Sequence, residues 1–311
     1  MAEILNTTTD RSFKGHATVF AANVIWGLYV PIGKSVLAEF SAFSLNTFRI
    51  VGAALAFWLF SLFLPQEHVD HKDMLRLFFA ALFCVVFNQG FSVLGLSLTS
   101  PIEASIMATA TPIITMIVAA IYLHEPITNK KVLGIFIGAI GALILIFGHR
   151  TSGITGSNNF LGNIFCLISQ LSFAIYLTVF KDLIGKYSSI TISKWMFIYA
   201  SICFIPFSYH DIVSIEFASI SPEMFIKIGY IIFGATFLAY IFIMTGQRLL
   251  RPTIVSMYNY VQPIVATLFA VTLGMDTFGW QKGLAVALVF IGVYFVTMSK
   301  SKAELEREGK I

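Results

Sequence analysis

Ser100-Pro101-Ile102-Glu103-Ala104-Ser105 and Arg251-Pro252-Thr253-Ile254-Val255-Ser256 carry one pattern twice, 151 residues apart. The register continues on both sides. Pro112 meets Pro263, Glu125 meets Asp276 and Gly141 meets Gly292, while upstream Gly95 meets Gly246 and Leu98 meets Leu249. Near the start of each half the offset is 147, pairing Gly15 with Gly162, Phe20 with Leu167, Asn23 with Gln170, Tyr29 with Tyr176 and Lys34 with Lys181. Apolar composition alone does not easily align the prolines together with an acidic residue. The chain therefore reads as a duplication, residues 1–150 followed by residues 151–311.

What is duplicated follows from composition. The 311 residues are 57% hydrophobic and only 12% charged, with mean hydropathy +0.84. Soluble domains are about 25% charged, so this surface is too apolar for water. Aromatic content of 15% excludes disorder, and three cysteines exclude a disulfide scaffold. Ten long apolar runs remain, near 17–34, 42–64, 75–96, 102–123, 132–148, 161–180, 192–209, 225–245, 254–273 and 283–299. Each approaches the roughly 20 residues that cross about 30 Å of hydrocarbon. The run at 192–209 is the weakest, short and interrupted by Pro206. No recurring alternation of short strands suggests a β-barrel. The first run follows a polar tail containing Arg11 and Lys14, and its length argues for an anchor rather than a cleaved signal peptide.

The expected fold class is an all-α integral membrane protein of ten helices in two five-helix repeats. Five is odd, so the second repeat enters the membrane from the opposite side. Inverted repeats of this kind recur in carriers, with a site between the halves near the midplane. Lysines and arginines set the orientation. With the N-terminus inside, fifteen fall on the cytoplasmic side (Lys72, Arg76, Lys186 and Lys194 among them), against four outside: Lys34, Arg150, Lys227 and Lys282. Both termini are then cytoplasmic, and the net charge of +4 reflects topology rather than a nucleic-acid partner.

Polar residues inside the runs are the candidate site. Arg49 lies about two turns into the second run, where an ionisable group is costly. It is a candidate partner for a substrate carboxylate, or a structural group satisfying backbone carbonyls. Glu103, near the outer end of the fourth run, is the candidate ion-coupling group, or simply interfacial. Asn23, Trp26 and Tyr29 recur at intervals of three, near one helix face. Gln170, Phe173 and Tyr176 repeat that stripe on the sixth run. Asn88 and Gln89 interrupt the third, Tyr240 lies in the matching part of the eighth, and Tyr258, Asn259, Tyr260 and Gln262 precede Pro263 on the ninth. Amides and phenols donate and accept without permanent charge, which suits a small polar or zwitterionic solute; they also serve as packing glue between helices. Gly134-x-x-x-Gly138, with Gly141 a turn further on, suits close helix contact, and Glu125 and Asp276 suit pairing at helix ends.

Several of these residues resemble the drug/metabolite transporter superfamily: Trp26-Gly27 in the first run, Arg49 early in the second, Pro112 with Glu125-Pro126 closing the fourth, and the glycine-rich fifth. The ten-helix EamA-type branch, which includes bacterial amino-acid and metabolite exporters, is most similar. The resemblance implies a scaffold of the fourth, fifth, ninth and tenth helices and a central cavity lined by the others. It also implies a bacterial inner (plasma) membrane location. The second half departs from the pattern, with Phe173-Ala174 for Trp-Gly, Asp276 for Glu, and no arginine matching Arg49.

The six histidines are scattered without metal-ligand spacing, and no phosphate loop, nucleophile elbow or zinc-protease helix is present. The expectation is a non-enzymatic secondary transporter, without cofactor or metal, exporting a small metabolite, an amino acid foremost. Its cavity would be bounded by the first, third, sixth, eighth and ninth helices. The partners expected are the solute, the bilayer and a proton as candidate coupling ion, in a monomer or weak homodimer. The alternatives are efflux of drugs or lipophilic cations, and a channel or receptor.

Overall fold

The computed structural model describes residues 2–99, 101–148, 159–215, 220–272, 279–300 and 302–308. They form helices and connecting turns, with no strand among them. We number the ten long helical segments α1 (Ala2–Val36), α2 (Ala42–Ser61), α3 (His71–Leu98), α4 (101–122), α5 (Asn129–Gly148), α6 (Asn159–Val179), α7 (Ser189–Val213), α8 (Pro222–Leu249), α9 (252–272) and α10 (Trp280–Thr297). Two short helices, Lys181–Lys186 and Lys302–Arg307, lie between α6 and α7 and after α10.

Eight segments, all but α5 and α9, are long and apolar enough among the described residues to cross a membrane. The outer surface fits that environment: Phe63, Phe160, Phe207, Ile226 and Trp280 are all more than 70% exposed. Large aromatic and aliphatic groups in such numbers belong against lipid rather than water. The α9 segment is divided by a 3₁₀ turn at Tyr258–Tyr260, so its longest α-helical stretch is Val261–Thr272.

Local chemistry repeats with the sequence offsets. Ser41 and Ser188, 147 apart, each cap a helix by accepting a hydrogen bond from the backbone N–H three residues on, at Ser44 and Thr191. Ala110 ends a break in α4, between Pro101–Ala108 and Thr111–Tyr122, and its counterpart is the 3₁₀ turn of α9. Both α3 and α8 contain a π-helical stretch, at Leu82–Phe87 and Tyr230–Leu238. Matched residues even meet each other: Gln89 Nε2 donates to the Tyr240 hydroxyl at 2.7 Å, and the Tyr260 hydroxyl donates to the Thr109 carbonyl at 3.3 Å.

Packing between the halves follows the same rule. In first-half and second-half counterparts, α1 packs on α8 as α6 does on α3, and α2, α4 and α5 each pack on their own counterparts α7, α9 and α10. Along the seam between α5 and α10, backbone meets backbone. A Cβ at Gly141 would meet the Ala285 carbonyl at 2.6 Å, and one at Gly292 would meet the Gly134 carbonyl at the same distance. The small residues expected to allow helix contact therefore sit in contact within the monomer. Elsewhere Gly95 lets α6 approach through Gly162, and Gly246 lets α1 approach through Gly15.

The weak seventh run is a correction. The α7 helix is continuous through Pro206, spanning Ser189–Val213. Serine hydroxyls support the backbone around the proline, Ser201 donating to the Phe197 carbonyl and Ser208 to those of Phe204 and Ile205. Pro31 likewise lies inside an unbroken α1. Glu125 pairs with Lys131 at 3.1 Å, both side chains under 10% exposed, as a helix-end role requires. Its counterpart Asp276 lies outside the described residues.

Candidate functional site

A cavity of about 120 Å³ lies between the halves. Of the residues singled out from sequence, Trp26, Tyr29, Arg49, Asn88, Gln170, Tyr240, Asn259 and Gln262 line it, together with Gln89 and Phe173. The wall comes from α1, α2, α3, α4, α6, α8 and α9. The five helices expected to bound the cavity, α1, α3, α6, α8 and α9, all contribute; α2 faces it as well, and so does α4, which the resemblance placed in the scaffold, whereas α7 does not.

Three candidates lie elsewhere. Asn23 stands behind the wall, its Oδ1 accepting from Gln262 Nε2 at 2.9 Å and its Nδ2 donating to the Val19 carbonyl. It orients Gln262 rather than facing the space. Tyr176 is fully buried, donating to Gln247 Oε1 at 3.2 Å. The Tyr258 hydroxyl meets His16 Nδ1 at 2.7 Å, away from the cavity. The side chain of Glu103 lies outside the described residues.

Sequence reasoning missed the small residues of the wall. Ala104, Ser105 and Ala108 on α4, with Cys166 and Ser169 on α6, create space by being short. Ser169 forms a reciprocal clamp with Asn88: Asn88 Nδ2 donates to Ser169 Oγ and carbonyl at 3.0 Å, and Ser169 Oγ donates to the Asn88 carbonyl at 2.8 Å. An isolated serine in an apolar run gives no hint of this. The spacing of Ala104 and Ala108, one turn apart, was the available signal.

The π-helical stretches supply carbonyls to the wall. Trp26 Nε1 donates to the Ala235 carbonyl at 2.9 Å, and the Tyr240 hydroxyl to the Cys84 carbonyl at 3.2 Å. Ala235 and Cys84 are 151 residues apart and each lies within its π-helical stretch. Trp26 stands edge-on to both Phe173 and Tyr240, with ring centroids 6.1 Å away in each case. This aromatic group forms the floor.

Below the floor the bundle is closed. A column of stacked rings, Phe173 on Tyr176 on Phe180, runs along α6. It ends at a cluster of charges joining the start of α3 to the Lys181–Lys186 helix. Lys186 Nζ donates to Asp70 Oδ2 and Asp73 Oδ2, both at 2.6 Å. The Tyr187 hydroxyl donates to Asp73 Oδ2 at 2.8 Å, and Arg76 Nη2 donates to both carboxylate oxygens of Asp182 at 2.7 and 2.9 Å. Asp73 and Leu96, at opposite ends of α3, are roughly 35 Å apart at 1.5 Å per residue. The cavity therefore occupies the half of the bundle nearer Lys34, whose Nζ donates to the Leu96 and Thr99 carbonyls.

These charges stay charged. Hydrogen bonds from Lys186 hold the Asp70 carboxyl below its usual value, and Asp70 and Asp73 push the Lys186 ammonium up in turn. A depressed carboxylate contributes above its unfolded value and is lost only as pH falls through the lower folded one. A raised ammonium contributes below its unfolded value and is lost only as pH rises through the higher folded one. Both limits lie outside about pH 5 to 9. Alkylation of buried Cys84 should therefore not vary with pH across that window beyond the change in maleimide chemistry itself. A step in Cys84 protection near neutrality would overturn this account of the closure.

The architecture is that of a polytopic membrane protein with a pocket between two related halves. The chain belongs to the EamA-like transporter family, whose model matches residues 13–147 and 160–298. It is 26% identical over 278 residues to an uncharacterised transporter of Archaeoglobus fulgidus, covering 88% of this chain and 95% of that one. It is 24% identical over 294 residues to the uncharacterised transporter YetK of Bacillus subtilis, covering 92% and 87%. A solved crystal structure superposes with a TM-score of 0.72 at 15% identity, covering 93% of this chain and 97% of the other, a likeness of fold. Family members are transporters, not enzymes.

Proposed function

We propose that this protein is a secondary carrier that exports a small polar metabolite, an amino acid foremost, by alternating access between two inverted five-helix halves. The observation that carries the reading is the cavity itself: open space on the Lys34 half, and stacked rings capped by ion pairs on the Lys186 half. The excess of lysine and arginine supports a cytoplasmic Lys186 face with both termini inside, in a bacterial inner membrane. The conformation is then the outward-facing one. The matched breaks, wide turns and glycine contacts support two halves that exchange conformations. The drive is the solute gradient or a proton, with Glu103 as the acidic candidate. Efflux of lipophilic cations is disfavoured by a wall that contains a guanidinium and, among its described residues, no carboxylate.

Counterflow in proteoliposomes with a labelled amino-acid mixture tests the reading. Saturable exchange stimulated by unlabelled solute on the far side is expected, whereas a channel gives no such stimulation. Ala104→Trp projects an indole into the free space and should abolish exchange at an unchanged yield of folded protein. Full exchange by this variant would show that the solute travels elsewhere.

A further inference from the structure

Arg49 is only 4% exposed, and its partners are all neutral. Nη1 donates to the Tyr29 hydroxyl at 2.9 Å, Nε donates to Thr236 Oγ1 at 3.3 Å, and the guanidinium carbon lies 4.4 Å from the centre of the Tyr29 ring. No carboxylate among the described residues pairs with it. Lys131, another deeply buried cation, has Glu125. Arg49 faces the cavity with no counter-ion among the described residues. Its counterpart at the 147-residue offset is Met196, fully buried, so the charge stands on one side of the pseudo-axis only. A second group is also unspent. Gln89 is 2% exposed, and its Nε2 is committed to Tyr240, but its Oε1 accepts nothing among the described residues.

Resting on the carrier reading above, we propose that Arg49 is the anion receptor of the cavity and Gln89 Oε1 its complementary acceptor. The solute presents a carboxylate to the guanidinium and an N–H to the amide oxygen. An α-amino acid carries both groups on adjacent atoms, and the rings of Trp26, Phe173 and Tyr240 pack against its body. A buried charge without a counter-ion is costly, and a carboxylate matches the forked donors of arginine in both charge and shape. An amine-only cation could reach the Gln89 amide oxygen but leaves the guanidinium unmatched and is repelled by it.

The test uses the full chain in nanodiscs, with thermal stabilisation by each of the twenty amino acids and by the corresponding carboxamides. The deaminated acids of those that bind complete the series. Carboxamides should bind about 10- to 100-fold more weakly than the acids, the loss expected for a charge-assisted hydrogen-bond pair. Deaminated acids should bind about 3- to 10-fold more weakly, for one neutral acceptor. Arg49→Lys should keep that order at lower affinity, and Arg49→Gln should erase the preference for carboxylate. Gln89→Leu should erase only the preference over the deaminated acid. If Arg49→Gln does not fold, the wild-type series and Arg49→Lys still decide. Carboxamides that bind and exchange as well as the acids would overturn the assignment of Arg49 while leaving the carrier intact. Deaminated acids binding as well as the parents would overturn that of Gln89. Absence of binding by every amino acid would bring down both the inference and the amino-acid reading beneath it.

Discussion

Replacing Gly292 with valine is expected to leave almost no monodisperse protein after extraction from the membrane. A Cβ at this position would fall 2.6 Å from the Gly134 carbonyl and from Gly138 N, and 2.8 Å from Gly138 Cα. Those atoms are backbone, so no side chain can turn aside. Overpacking a core with flexible neighbours already costs about 1–3 kcal/mol. Here two helices must separate along their whole contact, against a total stability of about 5–15 kcal/mol for a typical fold. In a bilayer, close packing of small residues replaces the hydrophobic drive that would otherwise rejoin them. Gly229→Ala is the contrast: nothing lies within 4 Å of its added Cβ, and a helical glycine exchanged for alanine gains about 0.5–1 kcal/mol. Fluorescence-detected gel filtration of the two variants separates the outcomes. A Gly292→Val protein that elutes at wild-type position and yield would show that α5 and α10 are not held by this contact.

Removing the Asp73 carboxylate is expected to open the opposite end of the bundle. Its side chain is 9% exposed and is held by Lys186, Tyr187 and Arg76 together. Asp73→Ala therefore breaks three contacts on one buried group, where hydrogen bonds to charged partners are worth about 1.5–3 kcal/mol each. The native thiol of Cys84, 1% exposed beside Tyr176 and Tyr240, reports the result. In a Cys203→Ser background, a membrane-impermeant maleimide added from the Lys186 face should label Cys84 at least about tenfold faster than in the parent, the factor that corresponds to 1.4 kcal/mol. Exchange should fall in parallel, because a carrier open at that end no longer completes its cycle. Glu223→Gln breaks only a pair with Lys227 whose acidic side chain is 77% exposed, and pairs of that kind contribute little; it should change neither readout. Unchanged protection of Cys84 in Asp73→Ala would reduce the charge cluster to surface decoration.

The reach of the sequence is clearest at the residues that recur. Gly141 with Gly292, and Gly95 with Gly246, were visible as matched glycines, and each marks a close backbone approach. Eight of the eleven residues proposed for solute binding line one cavity because an amide or phenol inside an apolar run is rarely idle. Asn23, Tyr176 and Tyr258 show the limit of that argument. They lie on the same stripes, yet hydrogen bonds to Gln262, Gln247 and His16 use them as supports. Periodicity identifies a helix face but not whether that face meets space or another side chain. The pairing of Asp70 and Asp73 with Lys186 was not legible, because counting lysines and arginines by side says nothing of which acids cross from one loop to another. Nor was the continuity of α7 through Pro206, because a proline in a short apolar run reads from sequence as a break.

The wide turns in α3 and α8 bear on how such helices deform. Leu82–Phe87 immediately precedes Asn88 and Gln89, and Tyr230–Leu238 ends two residues before Tyr240. A π turn accommodates one residue more than an α turn, and one residue is about 100° of rotation at 3.6 residues per turn. Taking up or releasing that surplus swivels one end of a helix against the other while most of the main-chain ladder stays made. Both stretches hold that surplus next to Gln89 and Tyr240, two residues of the cavity wall.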